Sequence, residues 1–88
     1  MNEKELERLF KAFANRRRIA IVRFLKRTKE ASVGDIASHI KLSFNATSKH
    51  LGVLSAANIV DREQRSLQMI YRIADDLSPR ARLMLSIL

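Results

Sequence analysis

Between Ser43 and Ala56 the chain reads SFNATSKHLGVLSA, and much of the remaining sequence reads as support for that stretch. Ser43 is a natural N-cap, its hydroxyl accepting from an orphan N–H of the first helical turn. At about 100° per residue, Thr47, Leu51, Leu54 and Asn58 fall on one side, and Asn45, Ser48, Lys49, Gly52 and Ala56 on the other. The inner side is aliphatic apart from Thr47 and Asn58. The outer side offers amide, hydroxyl and one ammonium, where a solvated face in so basic a chain would carry Glu, Lys and Arg. Groups of that kind can reach base edges in a major groove. They also describe a poorly formed surface helix, so the flanking sequence has to separate the two.

The chain carries 17 Lys and Arg against 9 Asp and Glu, a net charge of +8. Such an excess suits a polyanion, nucleic acid first and an anionic membrane surface second. Residues 1–14 balance, and most of the excess lies in residues 15–30. There Arg16, Arg17, Arg18, Arg23, Lys26, Arg27 and Lys29 face only Glu30. The charge therefore sits largely outside the helix that would enter a groove. With no cysteine, disulfides and thiolate metal sites are excluded. No apolar run reaches the ~18 residues of a membrane span, and the acidic start is no signal peptide. The expectation is a cytoplasmic protein of one domain, residues 1–88, with a modest core in want of further buried surface.

In chain order, Leu6, Leu9, Phe10 and Phe13 make a one-sided stripe on a helix over 3–13, suited equally to core or to a dimer seam. Asn15 caps a second helix over 16–26, whose three leading arginines oppose the helix dipole. They read as solubilising surface, with Arg18 folded onto a carboxylate, or as contacts to an anion. One or two residues of strand fall near 31–33. Ser32 and Asp35 form a capping box for a short helix over 33–40. Lys41-Leu42-Ser43 then turns into the organising helix, the layout of a helix-turn-helix. Residues 59–64 and 67–73 read as two strands, with Leu67, Met69, Tyr71 and Ile73 alternating against Gln68 and Arg72. Their junction near Arg65-Ser66 lacks Gly or Asn-Gly, which predicts a loose tip. Ser78-Pro79 opens a last helix running to the C-terminus, too apolar for a free tail. The fold class is α+β, mostly α: a winged helix-turn-helix of about five helices with a two-stranded β-hairpin wing.

The sequence resembles the ArsR/SmtB type of small prokaryotic transcriptional repressors over nearly its whole length. Residues 13–25 (FANRRRIAIVRFL) are similar to the family's LADPTRLRILRLL, and residues 32–37 (SVGDIA) to SVGELA. Leu42-Ser43 with Thr47 to Leu51 and Val53-Leu54 is similar to LSQSTVSRHLKVL. Ala57 to Val60 and Tyr71 to Ile73 match AGLV and YYRL. Each piece is weak alone; their order and spacing carry the likeness. Departures are as informative. The turn glycine is Lys41, the wing-tip glycine is replaced around Arg65-Ser66, Phe44 stands where Gln is common, and Gly52 where Lys is common. Metal-sensing members carry Cys at positions matching Ser32 and Gly34, or His, Asp and Glu on the last helix. Residues 79–88 hold none of these. No metal and no cofactor are expected.

The resemblance implies a sequence-specific, double-stranded DNA-binding transcriptional regulator, a repressor acting as a homodimer on a pseudo-palindromic operator. It implies dimer contacts through the helices near 3–13 and 79–88, from Leu6, Leu9, Phe10, Leu83, Met84, Ile87 and Leu88. Asn45 would pair with adenine, while Ser48, Lys49 and His50 would meet bases or phosphates, next to the cap at Ser43. Arg62 and Arg65 would serve the wing, and Ser32 would offer backbone N–H groups to a phosphate. His50 is equally readable as a satisfied, partly buried side chain; Phe44 would touch a thymine methyl or, in the preferred reading, pack under the helix start; His39 reads as solvated surface. Gly52 reads either as room for a DNA strand or as drift. An enzyme is not expected: the two histidines lie on different helices, and the paired Asp75-Asp76 simply end a strand. No membrane partner is expected. The competing class is a winged helix that binds RNA or an acidic protein through the basic helix 16–27.

Overall fold

The structure is a computed structural model and describes residues 2–88. Its first helix, α1, spans Glu3–Phe13 and is capped by the Asn2 side chain, which accepts from the Glu5 N–H at 2.9 Å. Asn15 caps the second, α2 (Arg16–Thr28), by accepting from the N–H groups of both Arg17 and Arg18. This helix runs two residues beyond the sequence expectation. It stops where Lys29 turns to φ 75°, a left-handed value that breaks the helical repeat.

Glu30–Ser32 form a strand, β1, and Ser32 at once caps α3 (Val33–Ile40), its hydroxyl accepting from the Asp35 N–H. The turn that follows hinges on Lys41 at φ 57° and ψ 50°. A lysine thus adopts the left-handed conformation for which glycine is the usual choice. Ser43 caps α4 (Phe44–Ala56) as expected, accepting from the Ala46 N–H at 3.1 Å. Asn58, expected on the buried side of α4, instead lies beyond its end, exposed and at φ 59°. The N–H of Asn58 donates to Ser55 and that of Ile59 to Leu54, both at 3.0 Å. That is a Schellman ending with Asn in the place of glycine.

The wing is β2 (Val60–Arg65) and β3 (Gln68–Ile73), paired antiparallel with Arg65 opposite Gln68. Only Ser66 and Leu67 join them, so the tip is tight where the sequence predicted a loose one. Ser66 at φ 55° supplies the positive φ that glycine would have advertised. The sheet has three strands, ordered β1-β3-β2, since β1 pairs with β3 through Ala31 and Tyr71. A strand of three residues carries too little alternation to be read as a partner. Leu67, expected on the apolar side of β3, stands in the turn and is 97% exposed. The last helix, α5 (Pro79–Ser86), starts at the Ser78 cap and ends short of the C-terminus.

Ile21, Val22 and Leu25 of α2 meet Ile36, Leu51, Leu54, Ile59 and Val60 in a core closed by Leu9, Phe13, Ala81 and Leu85. Each fully buried aliphatic contributes about 1.5–3 kcal/mol relative to exposure. The apolar packing therefore holds α4 by its inner stripe, Leu51 and Leu54. Lys26 Nζ donates to the Leu85 carbonyl at 2.8 Å, placing a cation at the negative end of α5. Of the residues expected at a dimer seam, Leu9 is 4% exposed and already belongs to this protomer's core, so it has little surface left for a partner. Leu6, Met84 and Leu88 are half-buried, while Phe10, Leu83 and Ile87 stand out in solvent.

Thr47 sits in the core with no exposed surface, and its hydroxyl has no hydrogen-bond partner. An unsatisfied buried hydroxyl costs on the order of 1–3 kcal/mol. Thr47→Val keeps the shape and removes that cost, so thermal unfolding is expected to show a gain of about 1 kcal/mol. A loss of similar size would mean that the hydroxyl is satisfied after all.

Candidate nucleic-acid interface

Because the core takes Thr47, Leu51 and Leu54, the opposite side of α4 is left to solvent: Asn45, Lys49, Gly52 and Ala56 are exposed and Ser48 is half-buried. The outward ridge is therefore the one read from the sequence. Gly52 has open space where a Cβ would stand, and its backbone is helical. Nothing within the protomer calls for glycine there, although it costs about 1 kcal/mol relative to alanine. Phe44 departs from the expectation. It is 59% exposed instead of packed beneath the helix, because the first turn of α4 projects past the core.

Phe44 lines a cleft of about 150 Å³ with Ser32, Gly34 and the wing residues Leu67, Gln68 and Met69. The starts of α3 and α4 thus meet the wing tip on one side of the molecule. Ser32 is buried with its hydroxyl committed to capping α3, so any contact it makes with a ligand must come from backbone. The hydroxyl of Ser43 is likewise engaged as a cap but remains at the surface.

His50 lies at the edge of the ridge, turned toward α2. Its Nδ1 is 3.2 Å from an Arg18 guanidinium nitrogen and accepts from it in the neutral ring. Burial, with Arg18 and Arg17 nearby, holds its pKa below the ordinary imidazole value. Arg18 does not fold onto a carboxylate. Its Nε donates to the Ala12 carbonyl at 2.8 Å and another of its nitrogens to the Lys11 carbonyl at 2.7 Å. A cation placed against the carbonyls that end α1 is favoured by that helix's dipole, whereas the start of its own helix disfavours it. One side chain thereby joins α1, α2 and α4.

The two wing arginines part company. Alternation along the strands puts Arg62 and Gln64 on the sheet face of Val60 and Tyr71, which packs on the helices. Both are exposed at the outer end of that face. Arg65 lies on the opposite face, 2.8 Å from Glu30 and 3.0 Å from Glu63, and Arg72 also reaches Glu63 at 3.1 Å. Arg65, followed by Arg72, holds the Glu63 carboxyl below the usual range. Arg65 is thus neutralised by neighbours, not free as the sequence suggested, since strand pairing brings Glu30 from 35 residues away. Two further exposed polar residues belong beside these: Gln64, on the same sheet face as Arg62, and Lys41, in the turn that leads into α4. Strand register would have signalled Gln64, and the left-handed turn Lys41.

Among the described residues no group of three or more His, Cys, Asp or Glu is placed to hold a metal ion. Nor, among the described residues, is any helix long and apolar enough to cross a membrane. A polar ridge whose one charge is Lys49, with Lys41 in the turn before it and Arg62 exposed on the wing, is suited to a duplex: cations for phosphate, amide and hydroxyl for base edges.

Comparison with known proteins agrees with that chemistry. The helix-turn-helix domain family matches residues 13–63. The transcriptional activator HlyU of Vibrio cholerae is 33% identical over 81 residues, 84% of this chain and 74% of that protein. The biofilm growth-associated repressor of Agrobacterium fabrum is 37% identical over 51 residues, 58% of this chain and 44% of its own length. The match thus spans less than half of that repressor. Reduced HlyU from V. cholerae superposes with a TM-score of 0.82 at 31% identity, covering 99% of this chain and 87% of that one. A homodimeric winged helix-turn-helix DNA-binding domain from Mycobacterium bovis, a possible ArsR-family regulator, gives 0.82 at 25% identity, covering 96% and 74%.

Proposed function

This chain belongs to the ArsR-type winged helix-turn-helix family of DNA-binding transcription regulators, and on that footing we propose that it binds duplex operators as a homodimer. Two copies of α4 enter successive major grooves roughly 34–36 Å apart on a pseudo-palindromic site. The observation that carries the reading is the outward ridge of α4, uncharged but for Lys49, beside cations at its margins. Asn45 pairs bidentately with adenine, Ser48 and Lys49 reach bases or phosphate, and Arg62 and Gln64 follow the backbone beside the groove. His50 holds α4 to Arg18 and touches DNA only at the margin. Arg65 contributes through the shape of the wing, since a phosphate contact would have to displace two carboxylates. Gly52 lets the helix sit close to the duplex. The dimer forms through Phe10, Leu83 and Ile87, with Leu6, Met84 and Leu88 at the rim; the exposure of the first three supports this seam, and the mycobacterial neighbour, itself homodimeric, supports pairing as such. Where such an operator overlaps a promoter, its occupancy represses transcription.

Asn45 and Lys49 therefore matter more for affinity than Arg16 and Arg17. In gel-shift titrations on the selected site, Asn45→Ala is expected to cost about 1–3 kcal/mol, with relaxed preference at one position of each half-site. Arg16→Ala should weaken binding no more than about threefold, as a loss of long-range attraction. A larger loss from Arg16→Ala would overturn this assignment.

A further inference from the structure

The basic helix poses a separate question, because Arg18 turns toward α4 while a row of three other arginines lies on the side of α2 away from the core. Residues 8–29 contain no Asp or Glu. Around α2, Arg16, Arg23 and Arg27 cluster on a side about 180° from Ile21, Val22 and Leu25, the residues that face the core. Recognition helix α4 attaches on that inner side, where Arg18 meets His50. The arginine row thus lies on the side of α2 opposite the attachment of α4. Among the described residues no ion pair engages these three guanidinium groups, and the one nearby carboxylate in sequence, Glu30, is taken by Arg65.

The row rims a groove of about 420 Å³ whose floor is apolar, made by half-buried Ile19, Ala20 and Phe24. His39 of α3 stacks on the Phe24 ring with centroids 4.2 Å apart, and the Arg27 guanidinium lies 5.5 Å from the same ring. These contacts fix the end of the groove before anything binds. Spacings of Arg16, Ile19 or Ala20, Arg23 and Arg27 repeat along the helix over roughly 17 Å, the length of three turns. Cations alternate there with apolar positions on one face, which is what a helix laid alongside would meet.

We propose that the outer face of α2 docks an acidic amphipathic helix of a partner protein, its carboxylates on Arg16, Arg23 and Arg27 and its aliphatic side chains on the Ile19–Ala20–Phe24 floor. The charge complementarity is one-sided, since no carboxylate lines the groove. Single-stranded nucleic acid is the poorer fit, because it stacks successive bases on aromatic rings and the only rings here are Phe24 and the His39 already stacked on it, while the rest of the floor is aliphatic. This inference goes beyond the operator reading and stands if that reading falls.

The test uses a fluorescein-labelled helical peptide with Glu and Leu at matching spacings, and two controls in which Gln replaces Glu or Ser replaces Leu. Anisotropy titrations at fixed salt against the intact protein are read beside amide shift maps of the wild type. The Glu/Leu peptide should bind more than tenfold tighter than either control and shift residues 16–27 and His39. The double substitution Arg23→Gln, Arg27→Gln, at exposed positions, should weaken it at least tenfold and change duplex affinity less than threefold. Equal binding of the Glu/Ser peptide, shifts centred on α4, or stronger binding of an RNA oligonucleotide to this face would each overturn the proposal. The wild-type shift map decides the matter even if the variant misfolds.

Discussion

Replacing Leu83 and Ile87 together by glutamate is expected to leave a folded monomer whose affinity for its operator is lower by about 100-fold or more. Both residues are far out in solvent, 69% and 78% exposed, so the change removes nothing from the protomer's own core. Ala81 and Leu85, which anchor α5, are untouched. Phe10, 58% exposed, adds to the same kind of surplus on α1. Such residues are costly to leave wet in a domain this small, and a symmetric partner buries each of them twice over. Four glutamates across the two-fold axis oppose that association by repulsion and by the cost of burying charge. Once dimerisation fails, each α4 must bind a half-site alone, and the gain from tethering two readers is lost. Sedimentation alongside a gel shift checks both parts. A dimer that survives the substitution, or a monomer that still binds at full strength, would remove the paired geometry from the account.

Arg18→Met should destabilise the fold by about 2–3 kcal/mol, because two charge-assisted bonds to the Lys11 and Ala12 carbonyls are lost together. For a domain of this size that corresponds to a drop of ~10 °C or more in Tm. The same change frees His50, so α4 loses its brace to α1 and α2. DNA affinity should then fall more than for Arg16→Ala, although neither arginine touches a base. The brace also predicts a pH dependence. His50 is held neutral by burial and by the two arginines, so its folded pKa lies below its unfolded value of about 6.5. The unfolded chain therefore takes up the proton first. Stability is at its full value above that unfolded pKa, and it declines as pH falls from there through the lowered folded value. His50→Gln should flatten that decline. Thermal melts across this range measure it, and a stability that rises on acidification would contradict the assignment.

Much of this was legible because the decisive signals are local. Ser43, Ser32, Asn15 and Ser78 each advertise a helix start, and each accepts from the expected N–H groups. The inner stripe of α4 followed from spacing alone. What the sequence hid was set by long-range pairing or by costly local conformations. Lys41, Asn58 and Ser66 take left-handed φ without glycine, so the turns they close carried a weak signal. The sequence offers Arg18 a carboxylate as its natural partner, yet the C-terminal carbonyls of α1 supply partial negative charge in its place. Arg65 looked free until β1 brought Glu30 beside it. Phe44 reads as packed under the helix start, yet a residue in a first turn that projects past the core stays wet.

The most direct trial of the account is selection of bound sequences from random duplexes, with the mass of the protein–DNA complex measured on the winners. Two protomers on a two-fold symmetric motif, its half-sites roughly one helical turn apart, is the predicted outcome. A single protomer per duplex with no motif enriched would contradict it.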